Sequence, residues 1–179
     1  MEMLRVPNLK ILPAKGEEIP PEHATPEQLV EALSAAKARE VADQCAPEDV
    51  IIGADTIVWV DGRPFGKPHS EEQAAAMLRR LSGDVHQVYT GVTVIRDGRE
   101  RSEAERSLVR FRPLTEEEIA RYIRTGEPMD KAGAYALQGG AAAWIEEVRG
   151  TPSGIIGLPL PLTRRLLARC GLQAFSGEG

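Results

Sequence analysis

Apolar residues recur along this chain with two different periods, and capping or turn residues separate one segment from the next. Helices are predicted where a capping signal opens a segment or where apolar residues share one helical face. They span Pro26 to Asp43, Ser70 to Leu81, Thr115 to near Gly126, and Leu160 to Cys170. The first three open on capping boxes, in which Ser or Thr stands three positions before Gln or Glu: Thr25 and Gln28, Ser70 and Gln73, Thr115 and Glu118.

Strands are predicted between these helices, where β-branched and other apolar residues run together. They span Val50 to Val60, Val85 to Ile95, roughly Glu103 to Phe111, Ala142 to Val148, and Ile155 to Leu158. The pairs Asp61-Gly62 and Asp97-Gly98 are typical of tight hairpin turns. Because helices and strands are interspersed while hairpins are frequent, the pattern predicts the α/β class with a mixed sheet instead of a purely parallel one.

Length and composition predict a single domain. The chain has 179 residues, of which 42% are hydrophobic, enough for one buried core. We expect the domain to span residues 1–172 and a flexible tail to follow at 173–179. Cys45 and Cys170 lie far apart, without a C-x-x-C spacing or a histidine cluster, so the sequence indicates neither a disulfide framework nor a zinc site.

Charge and hydropathy narrow the range of partners. The formal net charge of -5, from 27 acidic and 22 basic residues, argues against a general affinity for nucleic acid or anionic membranes. No stretch reaches the roughly 18 to 20 consecutive apolar residues of a membrane span, and residues 1–10 lack the pattern of a signal peptide. We therefore expect a cytoplasmic protein that binds neither nucleic acid nor membranes, and that holds any anionic ligand through locally placed groups.

Asp55 interrupts the apolar run of the first predicted strand, between Ile52 and Ile57. Burying an ionised carboxylate costs several kcal/mol unless cations or hydrogen-bond donors satisfy it. One interpretation is a β-bulge or strand-end acid that bonds a neighbouring turn. The other is a metal-binding or general-base carboxylate, next to which Gly53 would let a ligand approach the backbone.

Two lysines are candidates for anion binding. Lys37 shares a helical face with Val30, Leu33 and Val41, so its side chain either extends along the core to water or projects its ammonium into a polar cleft. Lys67 stands between a glycine and a proline just before a predicted helix. It is either an ordinary solvated loop residue or, with that helix N-terminus, part of a phosphate site.

Gln138 is followed by two glycines, which indicates either a flexible turn or a place where the backbone comes close to a ligand. Its amide offers a donor and an acceptor, as reading the edge of a nucleobase requires. Glu17 and Glu18 are weaker candidates, because paired acids in loops are usually only solvated.

Seven motifs in the same order resemble the Maf family of nucleoside triphosphate pyrophosphatases, and together they cover nearly the whole chain. They are PAKGEEIPPE, ALSAAKAREVA, IIGADTIVWVDG, FGKP, MLRRLSGDVHQVYTGV, FRPLTEEEIARYIRTGEPMDKAGAYALQG and GIIGLPLPL. The resemblance implies an enzyme that hydrolyses a nucleoside triphosphate between the α and β phosphorus atoms, with Mg²⁺ or Mn²⁺. It also implies a mixed, elongated sheet with flanking helices, a cleft between two lobes, and commonly a homodimer.

The resemblance also implies roles for individual residues. Asp55 would accept a proton at or near the metal, and Lys37 and Lys67 would contact the triphosphate. Glu18, or Glu17 in its place, would help to hold the cation. These residue types suit the reaction, because it needs an oriented water, a carboxylate, and positive charge to offset the pyrophosphate leaving group.

Thr56 and Gln138 place the chain nearer one branch of the family. A threonine after the aspartate and a Y-x-x-Q-G motif resemble the branch that acts on dTTP, UTP and modified pyrimidine nucleotides. A branch that prefers 7-methyl-GTP has glutamine after the aspartate instead. The resemblance therefore implies that Thr56 and Gln138 select the base.

One family segment, a strand and loop reading approximately L-A-S-x-S-P-R-R, has no counterpart here, and we expect it to lie upstream of Met1. Either the true start is further upstream, or the short chain is real and binds phosphate more weakly. Two alternative functions follow: a non-catalytic nucleotide-binding protein that regulates septum formation, and a pyrophosphatase that prefers 7-methyl-GTP.

Overall fold

A five-stranded sheet forms the centre of the protein in the computed structural model, which describes residues 9–16 and 21–172. The strands are β1 (Ile51–Val60), β2 (Arg63–Phe65), β3 (Val85–Arg96), β4 (Arg99–Phe111) and β5 (Ile145–Arg149). They lie in the order β2-β1-β3-β4-β5. The α/β class is confirmed, but every pairing among these described strands is antiparallel, so the parallel pairs expected of a mixed sheet are not found among them.

Short hairpins explain the antiparallel pairing of β1 with β2 and of β3 with β4. Asp61 and Gly62 join β1 to β2 with φ of 51° and 77°, and Asp97 and Gly98 join β3 to β4 with φ of 50° and 69°. Two consecutive positive φ values match the right-handed twist of the flanking strands, and aspartate and glycine tolerate that conformation. A two-residue turn can join only antiparallel neighbours.

The α-helices of the described residues are α1 (Pro26–Ala42), α2 (Glu71–Leu81), α3 (Glu116–Ile123), α4 (Pro152–Ile156) and α5 (Leu160–Arg169). The predicted capping boxes of α1 and α3 are present. At α2 only half of the box forms: Ser70 accepts from the Gln73 N–H, while the Gln73 side chain accepts from the His69 N–H at 2.6 Å. No helix in the described part of the chain is long and apolar enough to cross a membrane.

Two of the predicted strands are wrong in whole or in part. Residues 155–158 are not a strand, because Thr151, Pro152 and Gly157 are the N-cap, first residue and C-cap of α4. Proline at the first helical position and glycine after the last are strong helix punctuation that outweighs two isoleucines. The strand predicted from Ala142 begins only at Ile145, because Gly140–Trp144 forms a 3-10 helix. The predicted tail at 173–179 lies outside the described residues.

Helix α1 packs against one face of the sheet. A buried apolar cluster joins the two: Leu29, Val30, Leu33, Ile57 and Tyr89. A Cβ atom at Gly53 would lie 2.4 Å from the carbonyl oxygen of Ser34, and one at Gly91 would lie 2.1 Å from that of Val30. Glycine on β1 and β3 therefore allows the helix backbone to lie directly on the strands.

The opposite face carries two further clusters and a cleft. The larger cluster includes Val58, Leu78, Phe111, Tyr135 and Trp144. The smaller one includes Val92, Val94, Leu162 and Leu166. A cleft of about 570 Å³ on this face is lined by residues of β1, β3, the segment 127–139 and α4.

Candidate functional site

Three of the predicted site residues line this cleft together: Thr56, Lys67 and Gln138. Thr56 lies in the middle of β1, opposite Thr90 of β3. Lys67 follows β2, and the Gly66 carbonyl before it accepts from the Gly133 N–H at 3.1 Å, which ties this loop to the opposite cleft wall. These three residues are 11 to 82 positions apart along the chain, and they meet in one pocket because the sheet and the loop pack together.

Glu127 holds the segment that carries Gln138, a role that the sequence interpretation missed. Its carboxylate accepts from the Tyr122 hydroxyl at 2.8 Å and from the Gly140 N–H at 3.2 Å. A Cβ atom at Gly139 would lie only 1.5 Å from the Glu127 Oε1 atom, so glycine is required for this approach. Burial and the Glu127 carboxylate raise the pKa of Tyr122 above its usual value. The hydroxyl therefore stays protonated and donates, and the loop has a fixed shape.

Further charge lines the same cleft. Lys131 and Asp130 are lining residues, and their side chains form an ion pair with an N–O distance of 2.8 Å. Lys131 was not assigned a role from sequence, although it stands in the motif that carries the resemblance. The cleft thus holds two lysines and two carboxylates around a polar amide.

Asp55 and Lys37 form an ion pair with each other. Their side chains are 10% and 29% exposed, so the Asp55 carboxylate is nearly buried beside the Lys37 ammonium. The β1–β3 register runs without a shift past Asp55, from Ile51 to Trp59, so the interpretation of Asp55 as a bulge is wrong. Lys37 does not simply reach water, because its ammonium meets an anion of the protein.

Asp55 and Thr56 face opposite sides of β1, because successive side chains of a strand alternate. Asp55 points to α1, where Lys37 lies, and Thr56 points into the cleft. Strand β2 pairs only with Val58–Val60. Among the described residues, the remainder of that β1 edge, 51–57, has no strand partner. A ligand that crosses this edge can therefore contact both faces of the strand.

A metal would have a sparse ligand set here. Within residues 9–16 and 21–172, no group of three or more His, Cys, Asp or Glu side chains could hold a metal ion. Glu17 and Glu18 lie outside the described residues. Magnesium commonly uses one or two carboxylates and completes its shell with phosphate oxygens and water. A single buried carboxylate such as Asp55 fits that pattern, in which the substrate supplies the other ligands.

His86 supports the cleft wall from the core and was also missed from sequence. Its Nε2 atom lies 2.8 Å from the hydroxyl of Tyr135, a cleft residue, and its ring packs edge-on against Phe111. The side chain is 3% exposed. Burial lowers the pKa of His86 to about 4, although the charge of Asp84 acts in the opposite direction. The imidazole is therefore neutral at physiological pH.

An α/β sheet with lysines, carboxylates and an amide around one cleft of this size defines a protein that binds a polar small molecule. The family model described as Maf-like protein matches residues 1–170, and the chain belongs to that family. The family resemblance carried by the motifs is thus confirmed.

Several relatives are described as dTTP/UTP pyrophosphatases. The relative from Symbiobacterium thermophilum is 48% identical over 160 residues, which cover 87% of this chain and 82% of the relative. The relative from Geobacillus sp. is 45% identical over 172 residues, covering 95% and 92%. The relative from Deinococcus radiodurans is 47% identical over 160 residues, covering 89% and 82%.

Proposed function

We propose that this protein hydrolyses dTTP and UTP to the nucleoside monophosphate and pyrophosphate. The observation that carries the proposal is the meeting of Thr56, Lys67 and Gln138 in one cleft of about 570 Å³. That volume lies within the range of small-molecule sites, roughly 300 to 1,000 Å³. The relatives described as dTTP/UTP pyrophosphatases support the choice of substrate.

The base would lie against Thr56 and Gln138. An amide N–H of Gln138 would donate to a ring carbonyl oxygen of uracil or thymine, which have such acceptors on both sides of N3–H. Ile155 and Ile156 of α4 also line the cleft and supply an apolar wall for the flat ring. Because Glu127 fixes the loop that carries Gln138, little conformational entropy is lost on binding.

The phosphates would lie toward Lys67 and the part of the β1 edge, 51–57, that pairs with no strand among the described residues. Lys67 and Lys131 line the cleft and offer positive charge to the triphosphate. The Lys37–Asp55 pair lies on the other face of β1, toward α1. We place the α-phosphate at this edge, within reach of both faces.

Asp55 would act as the proton acceptor. Water attacks the α phosphorus, the bond from that phosphorus to the α–β bridging oxygen breaks, and pyrophosphate leaves with the bonding electron pair. Asp55 takes the proton that the water loses. Lys37 orients the carboxylate through their ion pair and adds charge near the phosphates.

A divalent cation, Mg²⁺ or Mn²⁺, belongs to the proposal. Asp55 and Glu18 would hold it together with phosphate oxygens, and it would neutralise phosphate charge. The family resemblance further favours a homodimer in the cytoplasm, with residues 1–172 as one domain. Continuous packing of α1 and α5 against β3, a strand they share, supports the single domain.

Pyrophosphate release tests the proposal. The purified chain is incubated with Mg²⁺ or Mn²⁺ and with dTTP, UTP, CTP, ATP, GTP or 7-methyl-GTP. We expect the highest kcat/KM for dTTP and UTP, and a loss of at least about a hundredfold in Asp55→Asn, the size typical of losing a general base. Asp97→Asn is the matched control, because Asp97 is an exposed turn residue at φ 50°, where asparagine is also tolerated.

Other outcomes separate the alternatives. Calorimetric binding of UTP without turnover would favour a non-catalytic nucleotide-binding protein. A higher kcat/KM for 7-methyl-GTP than for UTP would overturn the assignment of Thr56 and Gln138 to pyrimidine selection. If the protein neither binds nor hydrolyses any of these nucleotides, the proposed function is refuted.

A further inference from the structure

A chain of hydrogen bonds runs from the cleft into the core through two threonines. The Thr56 and Thr90 hydroxyl oxygens lie 2.8 Å apart. The Thr90 hydroxyl also lies 2.8 Å from the carbonyl oxygen of Gly154, to which it donates. Thr90 is 1% exposed, whereas Thr56 lines the cleft. These hydrogen bonds therefore connect a cleft hydroxyl to a backbone carbonyl of α4.

The number of available protons determines which group donates in each of these hydrogen bonds. A threonine hydroxyl has one proton to donate, and a carbonyl oxygen can only accept. The single proton of Thr90 is used in the bond to Gly154. In the bond between the two threonines Thr56 must then be the donor, and its own proton is also used. Thr56 faces the cleft with oxygen lone pairs only.

The Gly154 carbonyl is held in place to receive this bond. A hydrogen bond joins the Thr151 hydroxyl, at the N-cap of α4, to the Glu105 carboxylate of β4. A Cβ atom at Gly154 would lie 2.7 Å from Glu105 Oε1, so this end of α4 is pressed close to the sheet. Reversing the donor roles would leave the Thr90 hydroxyl oxygen and the Gly154 carbonyl oxygen 2.8 Å apart with no proton between them, which is unfavourable.

We propose that Thr90 is a positioning residue that fixes Thr56 as a hydrogen-bond acceptor toward the base, and so selects pyrimidines that carry a proton on ring N3. The inference rests on the proposed function, in which Thr56 faces the base. Uracil and thymine both have N3–H, which can donate to Thr56. Cytosine has a lone pair at N3, which would face the lone pairs of Thr56. The 5-methyl group of thymine does not alter this edge, so dTTP and UTP are accepted together.

The test compares kcat/KM for UTP and CTP in variants of both threonines. Thr90→Val keeps the shape of the side chain but frees the Thr56 proton, which can then donate to cytosine N3. We expect the UTP-to-CTP ratio to fall on the order of tenfold, the effect of one neutral hydrogen bond that no longer discriminates. Thr90→Ser keeps the hydroxyl and should keep the wild-type ratio.

A double-variant comparison separates positioning from a general structural effect. In a Thr56→Val background the cleft hydroxyl is gone, so adding Thr90→Val should not change the ratio further. The Gly154 carbonyl still accepts from the Gly157 N–H at 2.9 Å in these variants, which limits the cost to stability. Thr90→Cys, with its weaker donor, is the second variant if Thr90→Val does not fold, and should lower the ratio in the same direction.

Three results would overturn the inference. One is an unchanged ratio in Thr90→Val, or in Thr90→Cys if that variant is used. Another is a fall in the ratio when Thr90→Val is added to Thr56→Val that is as large as the fall when Thr90→Val is made in the wild type. The third is a fall in the ratio in Thr90→Ser as large as the fall in Thr90→Val. Failure of the proposed function is distinct, because the wild-type protein would then not favour UTP over CTP before any substitution is made.

Discussion

Lowering the pH from 7 to 5 is expected to destabilise the protein through one buried histidine, His86. Its side chain is 3% exposed and its Nδ1 atom has no hydrogen-bond partner among the described residues. The Nε2 atom is already engaged with the Tyr135 hydroxyl. In either tautomer, a second proton would therefore place a positive charge in the core without an acceptor at Nδ1.

The magnitude follows from the two pKa values. The pKa of His86 is lowered by burial from 6.5 to about 4 in the folded protein. Between these values the unfolded chain binds the proton and the folded protein does not, so the free energy of unfolding falls as the pH falls. From pH 7 to pH 5 the linkage relation gives a loss of about 2 kcal/mol. Carboxylates such as Glu118, whose pKa is lowered to about 2 by Arg112, lose their stabilising effect mainly below this range.

Urea unfolding at pH 7 and pH 5 measures this loss. The test variant is His86→Phe combined with Tyr135→Phe, because the double change leaves neither the imidazole nor a buried hydroxyl without its partner. Its free energy of unfolding should fall about 2 kcal/mol less than that of the wild type between the two pH values. The control is His69→Gln, the substitution of an exposed histidine in the loop before α2. Equal pH dependence in the wild type and the double variant would refute the reasoning.

Three further predictions concern α1, its packing and the cleft. Gly53→Ala should lower the free energy of unfolding by about 1 to 3 kcal/mol, because the added Cβ would lie 2.4 Å from the Ser34 carbonyl oxygen. Gly66→Ala is the control, since a Cβ atom added there would have no atom within 4 Å. An unfolding curve of Gly53→Ala that matches the control would contradict this. Thr25→Ala should lower the free energy of unfolding by roughly 1 kcal/mol, because it removes the N-cap acceptor of α1. Thr25→Ser keeps a hydroxyl and should lower it less. Equal losses in the two variants would exclude the cap as the cause. Lys67→Met should raise the KM for UTP on the order of tenfold without changing stability, because a charge-assisted contact to phosphate is lost. An unchanged KM would show that Lys67 does not contact the substrate.

Several boundaries of helices and turns follow from short-range signals in the sequence. Capping residues fixed where α1 and α3 begin, because a cap bonds backbone groups only two or three residues away. The Asp-Gly pairs fixed two turns for the same reason, since the residues that adopt positive φ are part of the turn itself. The family motifs also carried the resemblance to Maf proteins, which the family match confirms.

Local signals are misleading where a short apolar segment fits both a strand and a helical turn. Residues 155–158 are predicted as a strand from their apolar run, yet Pro152 and Gly157 punctuate this segment as the helix α4. This error matters for the site, because α4 supplies Ile155 and Ile156 to the cleft and the Gly154 carbonyl to Thr90. A short apolar run does not by itself distinguish a strand from one helical turn.

The arrangement of the site residues on the two faces of β1 follows from the fold. Asp55 and Thr56 are neighbours in sequence, but the pleat of β1 sends one to Lys37 and the other into the cleft. Glu127, His86 and Thr90 gain their roles from partners that other elements bring to them. A hydroxyl has the same chemistry wherever it stands in a sequence. Whether it donates or accepts toward a ligand depends on which groups the fold places on its other side.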